Sequence, residues 1–211
     1  MAFRSSVAAL VALLVSAAPA AAHPHSWIDL STAVKFDAEG RVAGLSETWL
    51  FDETYTVYII ESFLKDRTFP KSGAGLKPIA ERIMGNLRDY AYFTHPTADG
   101  KAADIVGVSG ADATMRGRRL ELRFTVDLAA PAKADGFGYA VYDPTYYIEI
   151  LHAEGEAPVR LDGAPAGCGV RIAKPNPSME AVALAGALDQ TQTADDSLGE
   201  LFAEKVSLSC R

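Results

Sequence analysis

The alternation of apolar and polar residues in "HPHSWIDLSTAVKF", residues 23–36, constrains the fold of this chain more than any other feature. Ile28, Leu30 and Val34 occupy even positions, whereas the odd positions up to residue 31 are mostly polar. Successive side chains of a β-strand point to opposite faces, so this period of two predicts a strand with one buried face. His23 and His25 are odd residues, and we predict that both project from the polar face.

A second strand is predicted at residues 42–51, after a turn at Gly40, and the two strands should form a hairpin. Further strands are predicted near residues 104–109 and 119–126, on both sides of Asp143-Pro144, within 159–172, and at the C-terminus. Helices are predicted at residues 53–66 with Asp52 as N-cap, from Pro78 onward, after Pro177, and at 198–205. The sequence therefore predicts an α+β fold: mainly antiparallel β-strands with a two-helix insertion and a C-terminal helical segment.

Residues 1–22 have the pattern of a secretory signal peptide. Arg4 precedes a short apolar run, and small residues follow it, with Ala20 and Ala22 in an A-x-A arrangement. Cleavage after Ala22 would make His23 the first residue, whereas cleavage after Ala20 fits the small-residue rule nearly as well. We expect residues 23–211 to form a single periplasmic domain.

The charge of the chain argues against some classes of partner. The chain has a net charge of −7, with no cluster of Lys or Arg, which argues against binding to nucleic acid or to anionic membranes. No apolar run after residue 22 approaches the length of a membrane span.

The two cysteines, Cys168 and Cys210, both follow the predicted signal peptide. An even number of cysteines in an oxidising compartment favours one disulfide. The alternative is a pair of thiolate metal ligands, although the C-x-x-C spacing of zinc sites is absent.

His23 and His25 form the main candidate metal site. If His23 is the mature N-terminus, its α-amine and ring Nδ1 can chelate one ion, and His25 can add a third nitrogen in an arrangement called a histidine brace. Pro24 has no N–H and therefore excludes the square-planar mode that uses the backbone amide of the second residue. Imidazole nitrogen binds zinc, copper and nickel, so the sequence leaves the identity of the divalent transition metal open.

His95 and His152 are further candidate ligands, although the sequence favours a surface position for each of them over a ligand role. Asp52 and Glu53 could also contribute oxygen atoms, but a helix cap and a first-turn acid explain them as well. The Asp143-Pro144 step interrupts a strand pattern, and we interpret it as a structural turn rather than a chemical group.

Motifs of nucleophilic, phosphate-binding and dinucleotide-binding enzymes are absent from the sequence. The sequence leaves an enzymatic role uncertain and favours a role that is not enzymatic.

The segments "AHPHSWID", "ETWLFDETYT", "YFTHPTADGK", "VYDPTYY", "RLDGAPAGC" and "FAEKVSLSC" occur in the order found in a bacterial family. The chain resembles the family catalogued as domain of unknown function 1007 over nearly all of its predicted mature length. The resemblance implies a periplasmic component of an uncharacterised ABC-type transport system. It also implies transition-metal handling, because genes of the family often neighbour nickel/cobalt-type efflux permeases.

These observations favour a periplasmic metal-binding accessory protein of a metal transport system. Its partners would be a metal ion and a membrane metal permease or efflux transporter. A copper redox enzyme with a histidine brace and a metal-free periplasmic interaction module are the alternatives.

Overall fold

The computed structural model describes residues 23–66, 75–155, 157–188, 192 and 197–211, so the predicted signal peptide lies outside the described residues. The strands in the described part are β1 Ser26–Phe36, β2 Val42–Phe51, β3 Thr94–Ala98, β4 Lys101–Ala102, β5 Ile105–Arg116, β6 Arg119–Ala132, β7 Phe137–Val141, β8 Ile148–His152, β9 Val159–Asp162, β10 Cys168–Ala173 and β11 Lys205–Cys210. The α-helices are α1 Glu53–Lys65, α2 Lys77–Leu87, α3 Met179–Ala187 and α4 Leu198–Phe202, and a 3-10 helix covers Arg88–Phe93.

The strands form two sheets. The first sheet has the order β5-β6-β2-β1-β8, and β9 also pairs with β1 beyond the end of β8. Its strands are antiparallel except for β8 and β9, which run parallel to β1. The second sheet has the order β10-β11-β7-β3-β4 and is antiparallel throughout. The predicted α+β class is therefore confirmed, and so is the β1–β2 hairpin.

The core lies where the alternating apolar faces of the two sheets meet. In the first sheet the even residues 26–34 of β1 and 120–128 of β6 are buried, among them Ile28, Leu30 and Leu122. In the second sheet Phe137 and Val206 belong to the same hydrophobic cluster. Each side chain of this size contributes about 2 kcal/mol when it is fully buried. The period of two therefore determines which face of each sheet is turned inward.

The helices form the predicted two-helix insertion and the predicted C-terminal helical segment. α1 and α2 lie between β2 and β3, and α3 and α4 lie between β10 and β11. Asp52 is the N-cap of α1, as predicted, because its carboxylate accepts a hydrogen bond from Tyr55 N at 2.8 Å. None of the helices among the described residues is both long and apolar enough to cross a membrane.

The break at Asp143-Pro144 carries the chain from one sheet to the other. β7, before the break, belongs to the second sheet, and β8, after it, pairs with β1 in the first sheet. At the C-terminus β10 and β11 are paired, with Cys168 opposite Cys210, and the two Sγ atoms form a disulfide with an S–S distance of 2.06 Å.

Candidate metal-binding site

His23 and His25 lie side by side at the start of β1. The centroids of their rings are 4.6 Å apart, and the ring planes are inclined by 69°. His25 continues the β1–β8 ladder by one residue, because its N–H donates to Tyr147 O at 2.9 Å. His23 precedes the strand, and only 4% of it is exposed. The prediction that His23 projects from the polar strand face is therefore wrong, because the residue lies before the strand begins and is buried.

Tyr147 forms a wall beside both histidines. Its ring centroid lies 4.8 Å from that of His25 and 5.8 Å from that of His23. Within the described part of the chain, His25 Nε2 is buried and has no hydrogen-bond partner. A buried polar atom is normally satisfied, so this nitrogen is suited to bind a ligand such as a metal ion.

Asp52 anchors the strand that carries the histidines. Its Oδ2 accepts hydrogen bonds from Ser26 Oγ at 2.9 Å and from Trp27 N at 3.0 Å. Burial alone would raise the pKa of Asp52, but the bonds from Trp27, Tyr55 and Ser26 hold it below its ordinary value. Both carboxylate oxygens are therefore engaged by the chain, which supports a positioning role for Asp52 rather than a ligand role.

Asp143 holds the turn that leads to Tyr147. Its Oδ1 accepts from Thr145 N and Thr145 Oγ1, both at 2.9 Å, and its Oδ2 accepts from Ile148 N at 3.1 Å. The turn also contacts α4, because Gly199 N donates to Pro144 O at 2.9 Å. These contacts agree with a structural role for Asp143-Pro144 and fix the backbone on both sides of Tyr147.

Tyr55 connects this site to the helical insertion. Burial, which is the largest cause, and the nearby Tyr147 hydroxyl both act to raise the pKa of Tyr55, which reaches about 12. Tyr55 therefore lies near Tyr147 and remains a neutral phenol at ordinary pH.

His95 lies elsewhere, in the second sheet. It pairs with Ala140 across β3 and β7, and its ring stacks on that of Tyr142 with centroids 4.0 Å apart. Burial lowers the pKa of His95, while Glu200 and a backbone hydrogen bond with Tyr142 act in the opposite direction. Its Nε2 is also buried without a hydrogen-bond partner among the described residues, but the ring is stacked in the second sheet, whereas His25 precedes β1 of the first sheet.

His152 is held by a buried carboxylate. Its Nδ1 lies 2.6 Å from Glu204 Oε2, and its backbone N–H donates to the same oxygen at 2.6 Å. Lys174 contacts the other oxygen of Glu204. Burial would raise the pKa of Glu204, but the contacts with His152 and Lys174 lower it to about 2. Glu204 is thus a carboxylate across the physiological range.

The four candidate histidines do not meet at one point. His152 pairs with Leu30, five residues along the ladder from His25, which corresponds to about 16 Å. Among the described residues, no group of three or more His, Cys, Asp or Glu side chains could hold a metal ion. The structure therefore brings together His23 and His25 with Tyr147, and leaves His95 and His152 apart from them.

Glu47 and Glu204 are among the buried carboxylates that the reasoning from sequence missed. Glu47 is on the inward face of β2, where the alternation with Leu45 and Trp49 could have revealed it. Glu204 immediately precedes β11, and no local pattern distinguishes it from a surface residue.

The comparisons with known proteins agree with the resemblance noted from the sequence. The profile of a family described as "Protein of unknown function (DUF1007)" matches residues 8–210. An uncharacterised protein of Haemophilus influenzae is 29% identical over 194 residues, which cover 90% of this chain and 91% of that protein. No solved structure matches the chain significantly. The chain belongs to the DUF1007 family of proteins, whose function is unknown.

Proposed function

We propose that this protein binds one divalent transition-metal ion in the periplasm through His23 and His25, and serves a membrane metal transporter. The observation that carries the proposal is the pair of imidazole rings 4.6 Å apart, with the buried His25 Nε2 lacking a partner among the described residues. Two imidazoles at this separation can turn toward one ion, and zinc, copper and nickel all accept imidazole nitrogen.

Signal cleavage after Ala22 would complete the ligand set. The α-amine of His23 would then lie on the same residue as one imidazole, so that one residue supplies two nitrogens. Pro24 follows directly and offers no amide N–H as a competing ligand. Tyr147 would limit the access of water to one side of the ion, because its ring lies against both histidines.

Metal titration of the exported protein tests the proposal. The chain is produced with its own signal, purified from the periplasm, and its N-terminus is determined by intact mass. We expect a chain that begins at His23 and binds one Cu²⁺ or Zn²⁺ by calorimetry. The electron paramagnetic resonance spectrum of the Cu²⁺ form should show coupling to three nitrogens.

Three variants separate the contributions to binding. One Gly inserted before His23 displaces the amine but keeps every side chain, and His25→Ala removes the second imidazole. Each should weaken Cu²⁺ binding by about tenfold or more, equivalent to about 1.4 kcal/mol. His95→Ala is the matched control and should bind as the unaltered protein does. Equal affinity of the Gly-extended and His25→Ala proteins with the unaltered protein would refute the site.

A further inference from the structure

A cavity of about 410 Å³ lies between α1, α2, the end of the 3-10 helix and one end of the first sheet. Core aromatic residues contribute to its lining, including Trp49, Phe51 and Phe93. Protein interiors are close-packed and contain few voids larger than a water molecule. A volume of this size falls within the range of small-molecule sites, about 300–1,000 Å³.

The lining is apolar and strongly aromatic over most of its extent. Trp49 and Phe93 stack with centroids 6.2 Å apart and an interplanar angle of 12°. Tyr55 packs against Phe51 at 5.9 Å, and Ile59 is buried on the same helix. Flat ring faces of this kind favour a planar apolar ligand, because aromatic pairs prefer offset-stacked or edge-to-face contacts.

The charged groups of the lining neutralise each other. Asp66 and Arg82 form an ion pair at 3.1 Å, and the Arg82 guanidinium lies 5.8 Å from the centroid of the Phe63 ring. The other lining residues in the part of the chain that the structure describes carry no charge. A charged ligand would therefore lose its hydration without gaining a free counter-charge, whereas a neutral ligand would lose little.

We propose that this cavity binds a small, neutral, planar aromatic molecule. The site is distinct from the histidine pair, although Ile148 lines the cavity and directly follows Tyr147. Apolar burial would supply the binding energy, and Ser62 and Asn86 would offer the hydrogen-bonding groups that orient a polar substituent.

The two tryptophans of the chain allow a direct test. Trp27 is half exposed on β1 and does not line the cavity, so Trp27→Phe leaves Trp49 as the single tryptophan, which can be excited at wavelengths that tyrosine does not absorb. The Trp27→Phe protein is titrated with the neutral probe N-phenyl-1-naphthylamine. We expect saturable binding of one probe per chain, with energy transfer that quenches the emission of Trp49.

Three further variants in the Trp27→Phe background locate the probe. Asn86→Phe adds a ring at the cavity wall from an exposed position and should weaken binding by about tenfold. Val57→Phe adds the same ring to an exposed position of α1 outside the cavity and should leave binding unchanged. His25→Ala should also leave it unchanged, which separates this proposal from the metal site.

Two outcomes would overturn the proposal. The first is unsaturable binding, or equal affinity of the Asn86→Phe and Val57→Phe proteins, because the probe would then lie elsewhere. The second outcome is that the Trp27→Phe protein does not bind the probe, whereas the same protein with the additional Phe69→Ala substitution does. That result would assign the cavity to the chain's own segment 67–74 rather than to a separate molecule.

Discussion

Glu47 is buried in the core, and the hydrogen bonds of its carboxyl group depend on whether that group is protonated. Trp49 Nε1 donates to its Oε2 at 2.7 Å, and Thr94 Oγ1 lies 3.0 Å from its Oε1 and 3.0 Å from Tyr92 O. The single hydroxyl proton of Thr94 can serve only one of these acceptors. If Glu47 is protonated, it donates to Thr94, Thr94 donates to Tyr92, and every group is satisfied.

The stability of the protein should therefore depend on the charge of Glu47. Burial raises the pKa of Glu47 from 4.5 to about 7, although the bonds from Trp49 and Thr94 act against this. The folded state then binds more protons than the unfolded state between these values, so stability falls as pH rises from 4.5 to 7. The expected loss is about 3 kcal/mol, complete above pH 7.

Glu47→Gln should remove this part of the pH dependence. A glutamine can accept from Trp49 through its oxygen and donate to Thr94 through its amide, as the protonated acid does. We expect the variant to match the unaltered protein at pH 5 and to exceed its stability at pH 8 in urea denaturation. Glu154→Gln, at an exposed position, is the control. A variant that is less stable than the unaltered protein at both pH values would contradict the assignment.

At the scale of elements, α4 supports the turn that carries Tyr147. A Cβ atom added to Gly199 would lie 1.8 Å from Asp143 O and 2.8 Å from Asp143 C. Because both contacts are to backbone, the helix and the turn would have to separate. We expect Gly199→Ala to destabilise the protein by about 1–3 kcal/mol, measured by thermal and urea unfolding. We also expect it to weaken metal binding, because Tyr147 moves with the turn.

Gly85→Ala is the matched control for this prediction. Gly85 lies within α2, and a Cβ atom there would meet no heavy atom within 4 Å. Alanine costs less conformational entropy than glycine in a helix, so this variant should be more stable by about 0.5–1 kcal/mol. If both substitutions changed the free energy of unfolding by the same amount and in the same direction, the close packing of α4 on the turn would not be the cause of the effect at Gly199.

Local periodicity explains which elements could be predicted from the sequence. The hairpin of β1 and β2 and the strand β6 follow directly from alternation, because one face of each is buried in the core. The α-helix predicted from Pro78 onward ends at Leu87. Beyond it Ala91, Tyr92 and Phe93 have φ values of 51° to 56°, in the left-handed region that an α-helix cannot contain. Nothing in the residue types signals that change of backbone conformation.

At the scale of the whole molecule, the disulfide closes a long segment of chain. Cys168 and Cys210 are 42 residues apart, and the segment between them contains α3 and α4. The chain-entropy relation gives about 4 kcal/mol for a loop of this length. A Cys168→Ser/Cys210→Ser protein should therefore unfold at a lower guanidinium concentration, with a free energy of unfolding that is lower by about 4 kcal/mol. Reduced unaltered protein should behave like this variant.

Mass spectrometry provides the independent check of the disulfide. Protein purified without reductant should be lighter by two hydrogens than the reduced chain and should resist alkylation until reductant is added. Ser209→Ala changes an exposed residue of β11 next to Cys210 and leaves both cysteines in place. It is therefore the control for the effect on stability of substituting a residue in this strand. Two alkylatable thiols in the native protein would disprove the bond.

The candidate site was predictable only in part, because its two sides come from distant parts of the chain. The spacing of His23 and His25 is visible in the sequence, and so is the strand that follows them. The parallel pairing of β8 with β1 brings Tyr147 beside them, and no local pattern encodes that register. The same pairing places His152 far from His25, which the residue types alone could not reveal.

This parallel pairing also determines when the histidine pair can be assembled. His25 and Tyr147 are hydrogen-bonded neighbours although 122 positions separate them in the sequence. Contacts between such distant positions form late in folding, because a long loop must close before they yield any stabilisation. A chain that has not yet closed this loop would present its histidines without Tyr147 beside them. We therefore expect metal loading to follow the completion of folding, in the compartment where the chain folds, and the ion that is most available there to be the one acquired.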